Sequence, residues 1–561
     1  MLQTNHIENA PNLAWLIQKS SELYADKIAM TLVLGNGMNG SFSFSKLNEL
    51  SDQFAVYLKE ELKLETGTSV AIQMPNCLSY PVAAIGVLKA GLILVSINPL
   101  YTVSEMTHQL NDSESKVLIT VDILKDKATT ILKKTGVKKV LVAKVPEFLP
   151  VLPKTISQIV IKYWNKQIPE SEGPYENFLL SLKIGQTLKK EKQIKIEKYT
   201  EKINLSSIAI LQYTGGTTGV SKGAALTHGN LLSNMNQLLP MLNQRLDNGS
   251  EVILTALPLY HIFAFTLNFL CFHSIGARNI LIPNPRPINN LQRAIENYSI
   301  SVFAGVNTLY NALNNEDWFC ETPPQNLKMA VAGGMSLHSQ VADQFKKITG
   351  VPIIEGYGLT ETSPVISFNP FENPKPNSIG LPLPNTKIKL VNDLGEEVAL
   401  GDPGELIVKG PQVMMGYWKN TNETSKAIKD GWFYTGDIAS VDSDGYYKIV
   451  DRKKDMIIVS GFNVYPNEVE DILTRHSDIL EAAIIGIPDN QTGEAVQAFI
   501  VSKSGQKINS DELKIHCKKS LVNYKIPKNF EFRTSLPKSP VGKILRKDLR
   551  LQNNQSQTEN V

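Results

Sequence analysis

Eleven consecutive residues, Tyr213 to Gly223, read Tyr-Thr-Gly-Gly-Thr-Thr-Gly-Val-Ser-Lys-Gly. Gly215, Gly216, Gly219 and Gly223 allow turns that a Cβ would forbid, and they let backbone N–H groups approach an anion closely. The hydroxyls of Thr214, Thr217, Thr218 and Ser221 add donors, and Lys222 adds a mobile positive charge. This is the chemistry of phosphate binding. It is not a Walker loop, because no Gly-Lys-Ser/Thr closes it. For a short match the plain alternative is a solvated Gly/Thr turn; here all eleven positions fit in order.

A second stretch, Glu355-Gly356-Tyr357-Gly358-Leu359-Thr360-Glu361, follows the apolar run Val351–Ile354. A Tyr between glycines has a free ring face for stacking on a base. Thr360 can bond a phosphate oxygen, and Glu361, ionised at neutral pH, is a hard ligand for Mg²⁺. Taken alone, it reads equally well as a turn ending a strand. Gly333-Gly334 closes another apolar run, Leu327–Ala332, and reads as a loop at a strand end.

These loops need strands to carry them. Ile208–Gln212 is apolar and β-prone, so the first loop leaves a strand end, a common place for nucleotide loops. Residues 13–35 read as an amphipathic helix and a strand (Lys27–Leu34), and Ser45–Leu62 as a second helix. Strand Ser69–Met74, the helix after Pro81 and strand Leu92–Ile97 make a β-α-β unit, which implies a parallel sheet. Thr227–Leu239 is expected to be a helix whose N-terminal dipole helps hold the anion. From Ile379 to Lys409 short β segments with Gly/Pro/Asp punctuation suggest a small distorted barrel. Past Asp455, helix Asn467–His476, strands Glu481–Ile487 and Gln497–Lys503 and helix Ser510–Leu521 form a compact α+β unit.

At 561 residues the chain exceeds one core. A net charge of +3 gives no case for nucleic acid as a partner. Cys77, Cys271, Cys320 and Cys517 lack metal-ligand spacing, so reduced, buried thiols are expected, as suits a cytosolic protein. Met1–Asn12 has neither a basic start nor an apolar core, so no secretory signal is expected. Tyr80–Ile97 contains Lys89 and glycines and reads as a buried helix and strand, not a membrane span. Residues 125–202 carry seventeen lysines against eight acidic residues: either a solvated face on a variable insert or a patch for an anionic membrane or acidic cargo.

The loop at Tyr213–Gly223 resembles the phosphate loop of the adenylate-forming superfamily of acyl-CoA synthetases, luciferases and peptide-synthetase adenylation domains. Further motifs extend the resemblance from about Leu88 to Arg550. Asp430-Gly431-Trp432-Phe433-Tyr434-Thr435-Gly436-Asp437, continuing to Asp451-Arg452-Lys453-Lys454-Asp455, resembles the signature of fatty acyl-CoA synthetases, with Tyr434 where His is frequent. Gly461-Phe462-Asn463-Val464-Tyr465-Pro466 is most similar to bacterial long-chain fatty acyl-CoA ligases.

The resemblance implies an α/β fold. A large N-terminal domain (1–450) would hold two doubly wound βα sheets and the small distorted β-barrel, followed by a hinge (451–455) and a small α+β C-terminal lid domain (456–561). It implies that Asp437 accepts bonds from the ribose hydroxyls, Arg452 bridges ribose and phosphate, and Lys454 is the hinge. His261 would lie near the carboxylate, and Phe265 either at an acyl tunnel or in the core. Lys543, in Leu536-Pro537-Lys538-Ser539-Pro540-Val541-Gly542-Lys543-Ile544, matches the catalytic lysine; Thr214 would join Glu361 at Mg²⁺.

The implied substrates are a fatty acid, ATP and coenzyme A. The resemblance also leaves room for a homodimer and for peripheral contact with the inner face of the plasma membrane. Rival readings are a ligase for medium-chain or aromatic acids, an acyl-AMP ligase loading a carrier protein in trans, and a non-catalytic nucleotide-binding protein. The last would require loss of Lys543, Glu361 or Asp437, and all three stand.

Overall fold

Ser69–Gln73, Ile93–Ser96 and Val117–Val121 are buried along their whole length, as strands covered on both faces of a parallel sheet must be. In the computed structural model, which describes residues 5–170, 173–214, 220–489, 491–539 and 542–558, they lie in an eight-stranded sheet. Its central strands are parallel, with Ile208–Thr214 beside Ile93–Ser96. The expected β-α-β unit is present: helix Ser79–Lys89 is buried throughout and joins Ser69–Gln73 to Ile93–Ser96. Lys89 inside it is fully buried, with Nζ 2.6 Å from Asp52 Oδ1 and 3.0 Å from Ser51 Oγ. Its work is packing.

A second, nine-stranded sheet runs parallel from Ile353–Gly358 through Met329–Ala332, Val302–Gly305, Val252–Thr255 and Arg278–Leu281 to Ile28–Val33. Antiparallel strands close both edges. Lys387–Val391, Gly404–Lys409, Trp432–Val441 and Tyr447–Arg452 form most of a five-stranded antiparallel unit where the small barrel is expected. The C-terminal unit is a separate five-stranded sheet with its own core around Ile484, Ala498 and Leu513. Helices Pro466–Thr474 and Ser510–Lys518 cover it.

Residues 125–202 are built into the eight-stranded sheet and its helices. Lys139–Ala143 and Glu176–Asn177 extend the eight-stranded sheet, and helix Phe178–Glu191 packs on Phe44–Val56 so closely that a Cβ on Gly185 would lie 1.9 Å from the Gln53 carbonyl oxygen. Among the described residues five of the seventeen lysines are ion-paired: Lys139 with Glu176, Lys154 with Glu147, Lys189 with Asp52, Lys192 and Lys198 with Glu60. Cys77, Cys271 and Cys517 are buried free thiols, but Cys320 is exposed because the short helix Asp317–Glu321 turns it outward. Among the described residues no helix is long and apolar enough to cross a membrane.

Candidate active site

Strand Ile208–Thr214 ends where the glycine-rich loop begins, and Lys222–Thr227 returns antiparallel to it, pairing Thr214 with Lys222 and Tyr213 with Gly223. Gly215, Gly216, Thr217, Thr218 and Gly219 lie outside the described residues. Thr214 and Lys222 line a cleft of about 2160 Å³ between the large domain and the C-terminal unit. The Tyr213 hydroxyl donates to Asp112 Oδ2 at 2.5 Å. Lys222 is held in place: Nζ is 2.7 Å from Glu423 Oε2 and 4.4 Å from the Tyr417 ring centre.

The helix expected to aim its dipole at the loop runs His228–Leu242, capped by Thr227. It does not follow the loop directly. A six-residue strand intervenes and carries the helix start away by about 3.3 Å per residue. The helix N-terminus is therefore not at the end of the strand Ile208–Thr214.

The second stretch also differs from expectation. Ile353–Gly358 is strand through the motif, and Gly356, Tyr357 and Gly358 pair with Val365–Phe368. The glycines serve close approach: a Cβ on Gly358 would lie 1.8 Å from the Pro364 carbonyl oxygen, and one on Gly356 2.9 Å from the Phe368 ring. Gly334, by contrast, is a true turn residue at φ +80° with open space beside it on the cleft wall.

Tyr357, Thr360, Glu361 and Glu355 all line the cleft. Glu361 is 8 % exposed, and its Oε1 accepts from the Tyr417 hydroxyl at 2.8 Å. Burial raises its pKa above the usual carboxylate range, opposed by Tyr417 and by the charges of Lys222 and Arg452. Glu355 is pushed up to about 8 by burial, with only the Leu337 N–H opposing, so it carries a proton at neutral pH.

The adjacent antiparallel strands place Asp437 opposite Arg452, with Arg452 Nε 3.6 Å from Asp437 Oδ1. The Tyr357 hydroxyl donates to Asp437 Oδ2 at 2.5 Å. One carboxylate oxygen is thus already engaged, a link that motif spacing does not disclose.

His261 also lines the cleft. Its Nδ1 accepts from Phe263 N at 3.4 Å, which leaves the proton on Nε2. Burial and the nearby Lys543 push it down to about 4, so it is neutral. Phe265 is fully buried against Phe269 and belongs to the core, whereas Phe263 lines the cleft.

The C-terminal unit closes the cleft with a hairpin in which Ser539 N donates to Lys543 O at 2.7 Å and Gly542 N to Ser539 O at 2.8 Å. It delivers Lys543 among the charges of Arg452, Asp437 and Lys454. Burial first, then Arg452, lowers Lys543 from its ordinary 10.5 to about 7, with Asp437 opposing. Lys454 is lowered to about 8 by burial and by Arg452. At the junction Asp451 is fully buried: its Oδ2 accepts from Asn467 N at 2.7 Å, and Arg546, bound to Glu470 at 2.7 Å, stands 3.5 Å from Oδ1.

Motif reading missed Tyr417, Glu423, Thr308 and Arg546. Their partners lie 56 or more positions away in sequence, so no local spacing signals them.

Two buried carboxylates, Glu361 and Asp437, a tyrosine on the strand Ile353–Gly358 and a lysine brought in by the second domain line one cleft. The model of AMP-binding enzymes matches residues 17–418 and that of their C-terminal domain residues 468–543, and the chain belongs to this family. Within it, the chain groups with the bacterial long-chain-fatty-acid–CoA ligases. It is 45% identical to the Salmonella typhimurium long-chain-fatty-acid–CoA ligase over 96% of its own length and 94% of that protein's. With the Haemophilus influenzae enzyme of the same description it shares 44% over 91% and 90%. A solved anthranilate CoA ligase in complex with anthranoyl-AMP superposes with a TM-score of 0.81 at 25% identity, covering 97% of this chain and 98% of that one.

Proposed function

We propose that the chain activates a long-chain fatty acid with ATP and transfers it to coenzyme A. A carboxylate oxygen attacks the α-phosphorus and pyrophosphate leaves; the coenzyme A thiol then attacks the acyl carbon of the adenylate and AMP leaves, the thiol proton passing to solvent. The supporting observation is the convergence of Lys543, from the small domain, with Arg452 and Asp437, from the large one, in a single cleft.

Both reactants of the first step are anions, so the site must neutralise and align them. In this reading the Gly215–Gly219 loop with Thr214 and Lys222 cradles the β- and γ-phosphates. Gly334, Glu355, Gly356 and Tyr357 form the adenine wall, with the Tyr357 ring against the base. Asp437 Oδ1 accepts from ribose while Arg452 reaches ribose and phosphate. Thr360 bonds a phosphate oxygen, and His261, neutral, donates toward the fatty carboxylate. Lys543 stands between carboxylate and α-phosphate, where negative charge builds.

Among the described residues no three His, Cys, Asp or Glu gather as a metal cage. Mg²⁺ needs none, since beside phosphates it takes one or two protein oxygens and keeps waters. Glu361, a cleft carboxylate with one oxygen bonded to Tyr417, and the Thr214 hydroxyl fit that role. Bound there, the ion would offset phosphate charge. For the second step the small domain turns about Lys454, withdrawing Lys543 so that the thiol can enter. Eleven basic residues against two acidic between Lys514 and Arg550 suit the phosphates of coenzyme A. The enzyme would work in the cytoplasm, with peripheral contact at the inner face of the plasma membrane.

The test is AMP release with coenzyme A across benzoate and straight-chain acids from hexanoate to octadecanoate. A maximum at the long end is expected. A maximum at benzoate or hexanoate would refute the substrate assignment, and turnover with a carrier protein but not with free coenzyme A would refute the acceptor.

A further inference from the structure

Helix Val151–Ile159 and the wider turn Val160–Trp164 that continues it are mounted inside out. The polar side faces the protein: Lys154 Nζ is 2.7 Å from Glu147 Oε1, Gln158 Nε2 donates to Asp122 Oδ2 at 2.8 Å, and Ser157 is buried with its hydroxyl 3.3 Å from Met38 Sδ. The apolar side faces out. Val151 is 83 % exposed, Leu152 70 %, Ile159 52 %, Tyr163 66 % and Trp164 86 %. With Ile156 and Val160, seven of the exposed large hydrophobics among the described residues come from these fourteen positions. Elsewhere they are scattered, which is ordinary; a contiguous apolar face on a helix is not.

The structure assigns this face to a lipid bilayer surface, in which the helix lies flat with its apolar side in the headgroup and acyl boundary. Three observations select that occupant. Val151–Gln167 contains three lysines and no acidic residue, which suits anionic lipid. Tyr163 and Trp164 end the segment beside exposed Lys162 and Lys166, giving amphipathic rings and long cationic stems that reach headgroups. The face is also small: a helix about 20 Å long and about 10 Å across would bury on the order of a few hundred Å² against a second copy, short of the ~800 Å² per partner of a stable interface. The membrane contact proposed above thereby acquires a place and a mode, apolar insertion and not lysine attraction alone.

Flotation of the full chain with phosphatidylcholine vesicles, and with vesicles also containing phosphatidylglycerol, tests it. Leu152→Ser/Ile159→Ser/Trp164→Ser should cut partitioning at least about tenfold on both vesicle types, since apolar burial drives it. Lys162→Gln/Lys166→Gln should weaken binding to the anionic vesicles only. Wild-type protein that stays with neither vesicle, or a triple variant that floats like wild type, would overturn the assignment. So would a wild-type dimer in sedimentation velocity that the triple variant splits, since the face would then belong to a second copy. AMP release with octanoate in solution should be unchanged in both variants. Flotation requires no turnover, so failure of the catalytic reading would appear as absent AMP release with flotation intact.

Discussion

The two walls of the cleft are held in different ways. On the large-domain side three charged groups have partners from the same domain: Glu361 with Tyr417, Lys222 with Glu423, Asp437 with Tyr357. On the small-domain side, among the described residues, two hydrogen bonds cross the cleft away from the junction: Thr308 Oγ1 to Gly542 O and Asn311 Nδ2 to Leu480 O, each 3.3 Å. Both are long and neutral, each contributing about 0.5–1.5 kcal/mol. The large-domain wall is thus preorganised while the small-domain hairpin is lightly tethered, which suits the proposed departure of the lid between half-reactions. The strong contacts cluster at the junction, where Asp451, Arg546 and Glu470 are packed together.

If the difference is functional, damage to the lid should separate the half-reactions. Lys543→Ala is expected to slow adenylation, read as pyrophosphate–ATP exchange, by about 10²–10⁴-fold, the range seen when a positioned charge or donor is removed. Thioester formation from preformed acyl-adenylate should survive; equal loss in both assays would contradict the two-state lid. Tyr417→Phe, on the fixed wall, should instead weaken adenylation through a raised KM for ATP.

Titration gives the next largest effect. In the free protein Lys543 sits at about 7 because of burial and Arg452. It is a cation below that value and neutral above it, so kcat/KM for ATP in the exchange reaction should fall about tenfold per pH unit above about 7. A bound triphosphate adds negative charge and restores the proton, which moves the limb of kcat to higher pH. Lys543→Arg, whose guanidinium stays charged, should run slower but lose that limb. A limb unchanged in the arginine variant would assign it to another group, Lys454 first.

Much of this site is legible in the chain because its chemistry rests on residue type. A Gly/Thr loop with a lysine and a Thr-Glu pair after a tyrosine point by residue type to anion and cation contacts, while the ribose role proposed for Asp437 and Arg452 comes from the family resemblance. What stays hidden is long-range or depends on burial. Tyr417 reaches Glu361 and Glu423 reaches Lys222 only once the strand Gly416–Tyr417 docks on Lys222–Thr227. Gly356 and Gly358 read locally as loop because glycine marks turns, whereas here it permits a strand to approach another closely. The helix at Val151 shows the same limit: periodicity marks an apolar face but not which way it points.

Gly542 gives the sharpest test of the lid's light tether, because it touches no proposed ligand contact. Its φ of +86° is a left-handed conformation that disfavours a side chain, and a Cβ there would lie 2.5 Å from Thr308 Oγ1. Gly542→Ala should therefore lift the hairpin and misplace Lys543, lowering adenylation by about 10²-fold, the cost of roughly 1 Å of misalignment. The thioester step, made with the lid turned away, should stay near wild type. Thr308→Val is the smallest perturbation, removing the 3.3 Å bond to Gly542 O and freeing the contact. It should cost adenylation only a few-fold, consistent with one neutral hydrogen bond. In the double variant Thr308→Val/Gly542→Ala the losses should not add, since the valine methyls still crowd the new Cβ but no bond remains to break. Full additivity would mean that the two residues act at separate places, and that the hairpin is positioned by the junction alone.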